Sequence, residues 1–141
     1  MKRSASAEWH GGLKDGMGSI STQSGVLKDR QYGFNTRFED GPGTNPEELI
    51  AAAHASCFTM ALSAQLGEAG LKAKSLKTSA TVTLDKIEGG FSITAVHLDL
   101  VAKISGASQQ GFEAVANNAK LNCPVSKLLN ASITLDARLE K

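Results

Sequence analysis

Two cysteines, one arginine and one glutamate carry the chemistry that can be read from this 141-residue chain. Cys57 lies in the middle of NPEELIAAAHASCFTMALSAQL, residues 45–66, which reads as one helix. Cys123 directly precedes Pro124 in LNCPVSKLL. It therefore reads as the N-cap of a short helix with proline at the first helical position, where the missing donor costs nothing. A thiol there faces unpaired backbone N–H groups and the positive end of the helix dipole, and both favour thiolate. Cys57 has no such local help, so its activation has to come from a neighbour in space. Arg37, in YGFNTRF, is the candidate: a guanidinium beside sulfur favours thiolate and can hydrogen-bond the oxygen of a bound peroxide. A thiolate that attacks a peroxide O–O bond becomes a sulfenic acid, which a second thiol condenses to a disulfide. Glu47 can hold Arg37 through a bidentate pair, although in a straight helix it points about 80° away from Cys57 and lies more than about 10 Å along the axis.

The same residues have plainer readings. A cysteine in an Ala-rich helix also serves as a small buried hydrophobe, an arginine on a strand as a solvated face residue, and Glu47 as an acid favoured by the helix dipole. His54, one turn before Cys57, reads as a satisfied core histidine and not as a base. His10, His54 and His97 together with the cysteines form no metal-ligand spacing. Phe58 and Met60 read first as core, and second as lining for the organic part of a peroxide.

The elements that must position these groups follow from pattern. Asn45 is the N-cap of the Cys57 helix, Pro46 its first residue, and Glu48 sits at the capping-box position, folded back onto the Asn45 backbone. That leaves Glu47 free to pair elsewhere. No charged side chain occurs between Leu49 and Gly67. The segment is long enough to span a membrane, but it is mostly Ala and carries His54, Ser56, Thr59, Ser63 and Gln65, so a buried helix is the better reading. A helix with no charged face needs cover on most sides, which a short chain supplies by pairing with a second copy.

Strands are expected at Ser4 to Trp9, at Met17 to Thr22 and at Tyr32 to Phe38, the last placing Arg37 on a strand opposite the alternating Tyr32, Phe34, Thr36 and Phe38. Gly70 caps the end of the long helix. Leu76 to Leu84 and Phe91 to Lys103 form a hairpin around Glu88-Gly89-Gly90, with a bulge or bend where the alternation changes phase between Ala95 and Val96. A helix from Ser108 to Lys120 with an apolar stripe of Phe112, Val115, Ala116 and Ala119, a short helix from Pro124 to Leu129, and a strand from Ser132 to Leu139 complete the chain.

Composition is that of one ordinary domain, 1–141, with formal net charge +1, which argues against a nucleic-acid or anionic-membrane surface. The N-terminal residues show no apolar run behind Lys2 and Arg3, so the expectation is a cytoplasmic protein. In that reducing compartment, two cysteines are free thiols or a redox pair and not a structural staple.

NPEELIAAAHASCF, CPVSKLL and the upstream YGFNTRFE together resemble the OsmC/Ohr family of osmotically inducible and organic hydroperoxide resistance proteins, more closely its OsmC branch. The likeness runs from the AEW strand through SGVL to the final ITLDARL. It implies a thiol-dependent peroxidase that reduces hydroperoxides, preferably organic ones, to alcohols. Residue by residue, it implies that Cys57 is the peroxidatic cysteine and Cys123 the resolving cysteine. It further implies that Arg37 activates the thiolate and that Glu47 pairs with Arg37. The implied fold is α+β, an intertwined homodimer whose β-sheets wrap around long central helices. No cofactor is implied; electrons come from an external dithiol, lipoyl groups for some members. Two other functions remain compatible with the residues: a cysteine redox sensor that oxidises once and signals to a partner, and a non-catalytic dimeric binding protein with inert thiols.

Overall fold

Along residues 1–140, which the computed structural model describes, the chain forms β1 (Ala5–His10), β2 (Met17–Thr22), β3 (Arg30–Tyr32), α1 (Phe34–Phe38), α2 (Pro46–Glu68), β4 (Ala73–Ile87), β5 (Gly90–Ile104), α3 (Gln109–Asn122), α4 (Pro124–Leu128) and β6 (Ser132–Glu140). The architecture is α+β, as expected. Two units can be distinguished, Met1–Leu49 and Ile50 onward, and α2 begins in the first and continues in the second.

In the first unit, β1, β2 and β3 form an antiparallel sheet in that order. Trp9 and Tyr32 both pair across to Gly18 on the middle strand. Their rings sit 5.5 Å apart over that residue, where an added Cβ would come within 2.8 Å of both. Gly18 is therefore what allows two aromatic rings to lie on one spot of the sheet.

The expected third strand is overturned. Only its first residue, Tyr32, stays in a strand; Phe34–Phe38 is a short helix, and Arg37 lies in its last turn. Phe34 and Phe38 satisfy both periods, since residues four apart share a face of a strand and also meet on a helix. The tie is broken locally. Thr36 Oγ1 accepts the Gly33 N–H at 2.9 Å and donates to the Gly33 carbonyl at 3.0 Å, closing a helical turn. The two rings then stack at 4.9 Å. The far end is tied down by Asn45 Nδ2, which donates to the Thr36 carbonyl at 3.0 Å.

The start of α2 forms as its sequence dictates, with one exception. Asn45 Oδ1 accepts the Glu48 N–H at 2.8 Å, and Pro46 is the first helical residue. Glu48 does not complete a capping box; its carboxylate accepts from Thr44 Oγ1 at 3.1 Å. Thr44, held by its own N–H on the Gln31 carbonyl, offers a nearer donor than the Asn45 backbone. Gly70, at positive φ, follows the C-terminal end, where the Leu71 N–H reaches the Leu66 carbonyl at 2.8 Å.

In the second unit, β4 and β5 form the expected hairpin, and β6 adds to β5 in parallel, giving the order β4-β5-β6. The register shift falls between Thr83/Ala95 and Leu84/Ile93, so Thr94 is the bulged residue, one position before the expected bend. Beyond it, Val96, Leu98, Leu100 and Ala102 all face the core. They cluster with Phe58, Leu62 and Leu66 of α2 and with Phe112, Ala116 and Ala119 of α3. A buried Leu or Phe contributes about 1.5–3 kcal/mol over an exposed one, so this stripe holds α2 more firmly than helix propensity does.

A parallel neighbour for β5 requires a crossover, and here the crossover is α3 followed by α4. Cys123 is the joint between the two helices. Its N–H caps α3 on the Ala119 carbonyl at 2.9 Å, and its carbonyl accepts the Lys127 N–H of α4 at 3.1 Å.

Asn45→Ala removes both the cap on α2 and the tie to α1. The expected loss is about 1–2 kcal/mol of unfolding free energy in a denaturant titration. A change below a few tenths would mean that these hydrogen bonds do not hold the α1–α2 corner.

Candidate functional site

The four residues singled out in the sequence come together as two pairs, one in each unit. In the first unit, Arg37 and Glu47 form a bidentate ion pair. Nε of Arg37 donates to both carboxylate oxygens at 3.2 Å and Nη2 donates to Oε1 at 2.8 Å. Two parallel donors fix the plane of the guanidinium and not merely its position. The Glu47 side chain is 13% exposed and that of Arg37 37%, so the carboxylate anchors and the guanidinium presents. Nη1 is the edge that Glu47 does not use. The Arg37 guanidinium also lies 5.4 Å from the centre of the Phe38 ring.

Around this pair is an open cavity of about 320 Å³ lined by Trp9, Leu13, Tyr32, Phe34, Arg37, Phe38 and Pro46. Its walls are apolar and its one charged group is the guanidinium. This corrects the expectation about Phe58 and Met60: Phe58 is fully buried in the core and Met60 is 74% exposed. The aromatic alternation that suggested a strand was the signal for the cavity.

In the second unit, both cysteines are reduced thiols, Cys57 half-buried and Cys123 fully buried. The Cys57 thiol is hydrogen-bonded to Cys123 and to the backbone N–H of Val125. Here the expectation for Cys123 is overturned. Although it is the N-cap of α4, its side chain makes no cap hydrogen bond. The N–H at the start of α4 serves the sulfur of Cys57 instead, so Cys57 does receive local help, from the segment that carries the other cysteine. Burial raises the Cys57 pKa most, contact with Cys123 raises it further, and the Val125 N–H acts the other way. The outcome within this unit is a protonated thiol.

His54 shares the face of α2 that carries Cys57. It is fully buried, and its Nε2 lies 2.8 Å from Ser126 Oγ on α4. Nδ1 is buried with no hydrogen-bond partner among the described residues. An orphaned lone pair costs less than an orphaned N–H, so the proton belongs on Nε2, which donates to Ser126. Burial lowers the His54 pKa and keeps the ring neutral. The sequence reading of a core histidine holds for its burial and misses its partner, which lies in the CPVS motif 72 residues away.

Among the described residues, no three His, Cys, Asp or Glu side chains gather as a metal-ligand group. The opposite face of α2 bears Ala53, Ser56, Met60, Ser63, Ala64 and Gly67, all exposed and all uncharged. By length and mean hydropathy, 1.4 over its best window, α2 could cross a membrane, and 22% of that window is buried.

Known proteins share these features. A profile of the family described as OsmC-like protein matches residues 39–138. The chain is 52% identical over 134 residues to Peroxiredoxin OsmC of Escherichia coli strain K12, spanning 95% of this chain and 94% of that protein. It is 31% identical over 124 residues to Organic hydroperoxide resistance protein OhrB of Bacillus subtilis strain 168, spanning 87% and 88%. The crystal structure of OhrB from Bacillus subtilis is similar with a TM-score of 0.69 at 28% identity, covering 97% of this chain and 98% of that one.

The raised Cys57 pKa has a consequence for stability. The folded state holds the thiol proton more tightly than the unfolded chain does. Its contribution is complete below the unfolded thiol pKa and is lost as pH rises through the folded value. The unfolding free energy of the wild type relative to Cys57→Ser is expected to fall between about pH 8 and 10. A difference that stays flat, or rises, would show that the folded thiol is not held protonated.

Proposed function

The chain belongs to the OsmC family, and from that membership we propose that it works as a thiol-dependent peroxidase, reducing organic hydroperoxides to alcohols and hydrogen peroxide less well. The observation that carries this reading is the hydrogen-bonded pair of reduced thiols, Cys57 half-exposed and Cys123 buried behind it. Cys57 as thiolate attacks the distal oxygen of the hydroperoxide; the O–O bond breaks and the alkoxide takes a proton to leave as alcohol. Sulfur, oxidised by two electrons, is left as sulfenic acid. Cys123 then attacks that sulfur, the S–S bond forms and water departs. An external dithiol, for which lipoyl groups are a candidate, returns two electrons and two protons to complete the cycle.

The thiolate needs a cation, because the surroundings of Cys57 in its own unit hold the proton on. Arg37 is the residue we assign to that task, with Glu47 fixing its plane; its Nη1 edge is suited to the peroxide oxygen. The apolar cavity beside the guanidinium suits an alkyl or aryl group, which favours organic substrates over hydrogen peroxide. The uncharged, exposed stripe of α2 supports a homodimer in which a second copy covers it. We read residues 1–141 as a single OsmC-like domain, since the family match spans the boundary between the two units. Free thiols that must be recycled by a dithiol suit the cytoplasm.

Steady-state consumption of an alkyl hydroperoxide with a dithiol reductant tests this reading. Turnover is expected to vanish in Cys57→Ser. In Arg37→Ala, the second-order rate of Cys57 oxidation is expected to fall at least about tenfold, equivalent to ~1.4 kcal/mol of transition-state stabilisation. An unchanged rate would remove Arg37 from the mechanism. A single oxidation with no turnover in any dithiol would replace the enzyme with a sensor.

A further inference from the structure

We propose that His54 is a positioning residue: its hydrogen bond to Ser126 latches the first turn of α4 against α2, so that the Val125 N–H stays aimed at the Cys57 sulfur. The inference rests on the reading of Cys57 as the reacting thiol and adds a control on its readiness.

The argument starts from a cost. A fully buried imidazole at this position, with one nitrogen unpartnered, is less favourable than an aliphatic side chain of similar size. Packing alone would be served by leucine, as it is at Leu62 and Leu66 on the same stripe. What a histidine adds is the 2.8 Å contact from Nε2 to Ser126 Oγ, which joins α2 to a helix of five residues. So short a helix has little cooperative stability of its own, and its place depends on what grips it. Cys123 grips it at the start through the Lys127 N–H. His54 grips it from the side, one residue after Val125.

The geometry links the grip to the thiol. Val125 and Ser126 are consecutive, as are their N–H and hydroxyl contacts to two residues, Cys57 and His54, that lie three positions apart on one face of α2. Loss of the Ser126 contact frees the turn to rotate, and the Val125 N–H leaves the sulfur. That N–H is the contact in this unit that favours thiolate; the titratable group facing Cys57 here, Cys123, opposes it. The same latch fixes the backbone beside Cys123, which must meet the Cys57 sulfenic acid for the disulfide to close.

The test is the pH profile of Cys57 alkylation, followed by site-resolved mass spectrometry, in His54→Leu, Ser126→Ala and His54→Gln. The profile's midpoint reports the thiol proton independently of access. His54→Leu and Ser126→Ala are expected to move it upward by about half a pH unit or more, the effect of one weakened hydrogen bond. The double variant should move it no further than either single one. His54→Gln, whose amide nitrogen can reach the position of Nε2, is expected to restore a midpoint near that of the wild type. An unmoved midpoint in folded Ser126→Ala would overturn the latch even if His54→Leu fails to fold. An equal shift in His54→Gln and His54→Leu would overturn the role of the hydrogen bond. Shifts as expected without hydroperoxide turnover by the wild type would leave the latch standing and overturn the peroxidase.

Discussion

A cysteine in the middle of a helix receives nothing from its own backbone, because every N–H and carbonyl around it is committed to the helix. For Cys57 this is the constraint on which the rest depends. Any group that tunes its sulfur must be delivered by another segment of chain, held at hydrogen-bond distance by structure built for that purpose. The second unit delivers two such groups from one place. Because β6 lies parallel to β5, the connection between them has to cross over. The joint of that crossover, Cys123-Pro124-Val125, presents both a second thiol and a free N–H to Cys57.

Those two groups pull in opposite directions. Burial and the neighbouring thiol keep the proton on Cys57, while the Val125 N–H weakens that hold. A resting thiol is thereby protected from adventitious oxidation, and its reactivity becomes conditional on a further charge. The Arg37–Glu47 pair is constructed as such a charge: a guanidinium whose plane is fixed by two donors on one carboxylate, set in an apolar cavity that excludes competing polar groups. In the proposed mechanism the conditional step is the meeting of that cation, a peroxide and the sulfur. Specificity for organic peroxides follows from the aromatic walls, which exist because Gly18 lets Trp9 and Tyr32 share one spot on the sheet.

Much of this was legible in the sequence, and the failures have physical reasons. The Asn45-Pro46 start, the Glu88-Gly89 hairpin and the Cys123-Pro124 joint rest on local stereochemistry, and each formed as read. Arg37 and Glu47 were identified as partners correctly, but Arg37 was placed on the wrong element. Phe34 and Phe38 fit periods of two and of four equally, and the deciding contact, Thr36 on the Gly33 backbone, is a side-chain hydrogen bond that no periodicity encodes. The same limit hid the roles of Val125 and Ser126. A backbone N–H has no letter in the sequence, and the partner of His54 lies 72 residues away. The capping-box error at Glu48 was a competition between two donors, Thr44 and Asn45, decided by the backbone path into the helix.

The central claim is that Cys57 gives up its electrons to a hydroperoxide and Cys123 closes the disulfide. Intact-mass spectrometry after one equivalent of an alkyl hydroperoxide, on the wild type and on Cys123→Ser, tests it most directly. The account predicts that the wild type loses two hydrogens as a Cys57–Cys123 disulfide within one chain. It predicts that Cys123→Ser gains one oxygen, located at Cys57 by a sulfenic-acid trap. Oxygen added to a methionine in place of Cys57, or a wild type that stays sulfenic while Cys123 remains reduced, would contradict it.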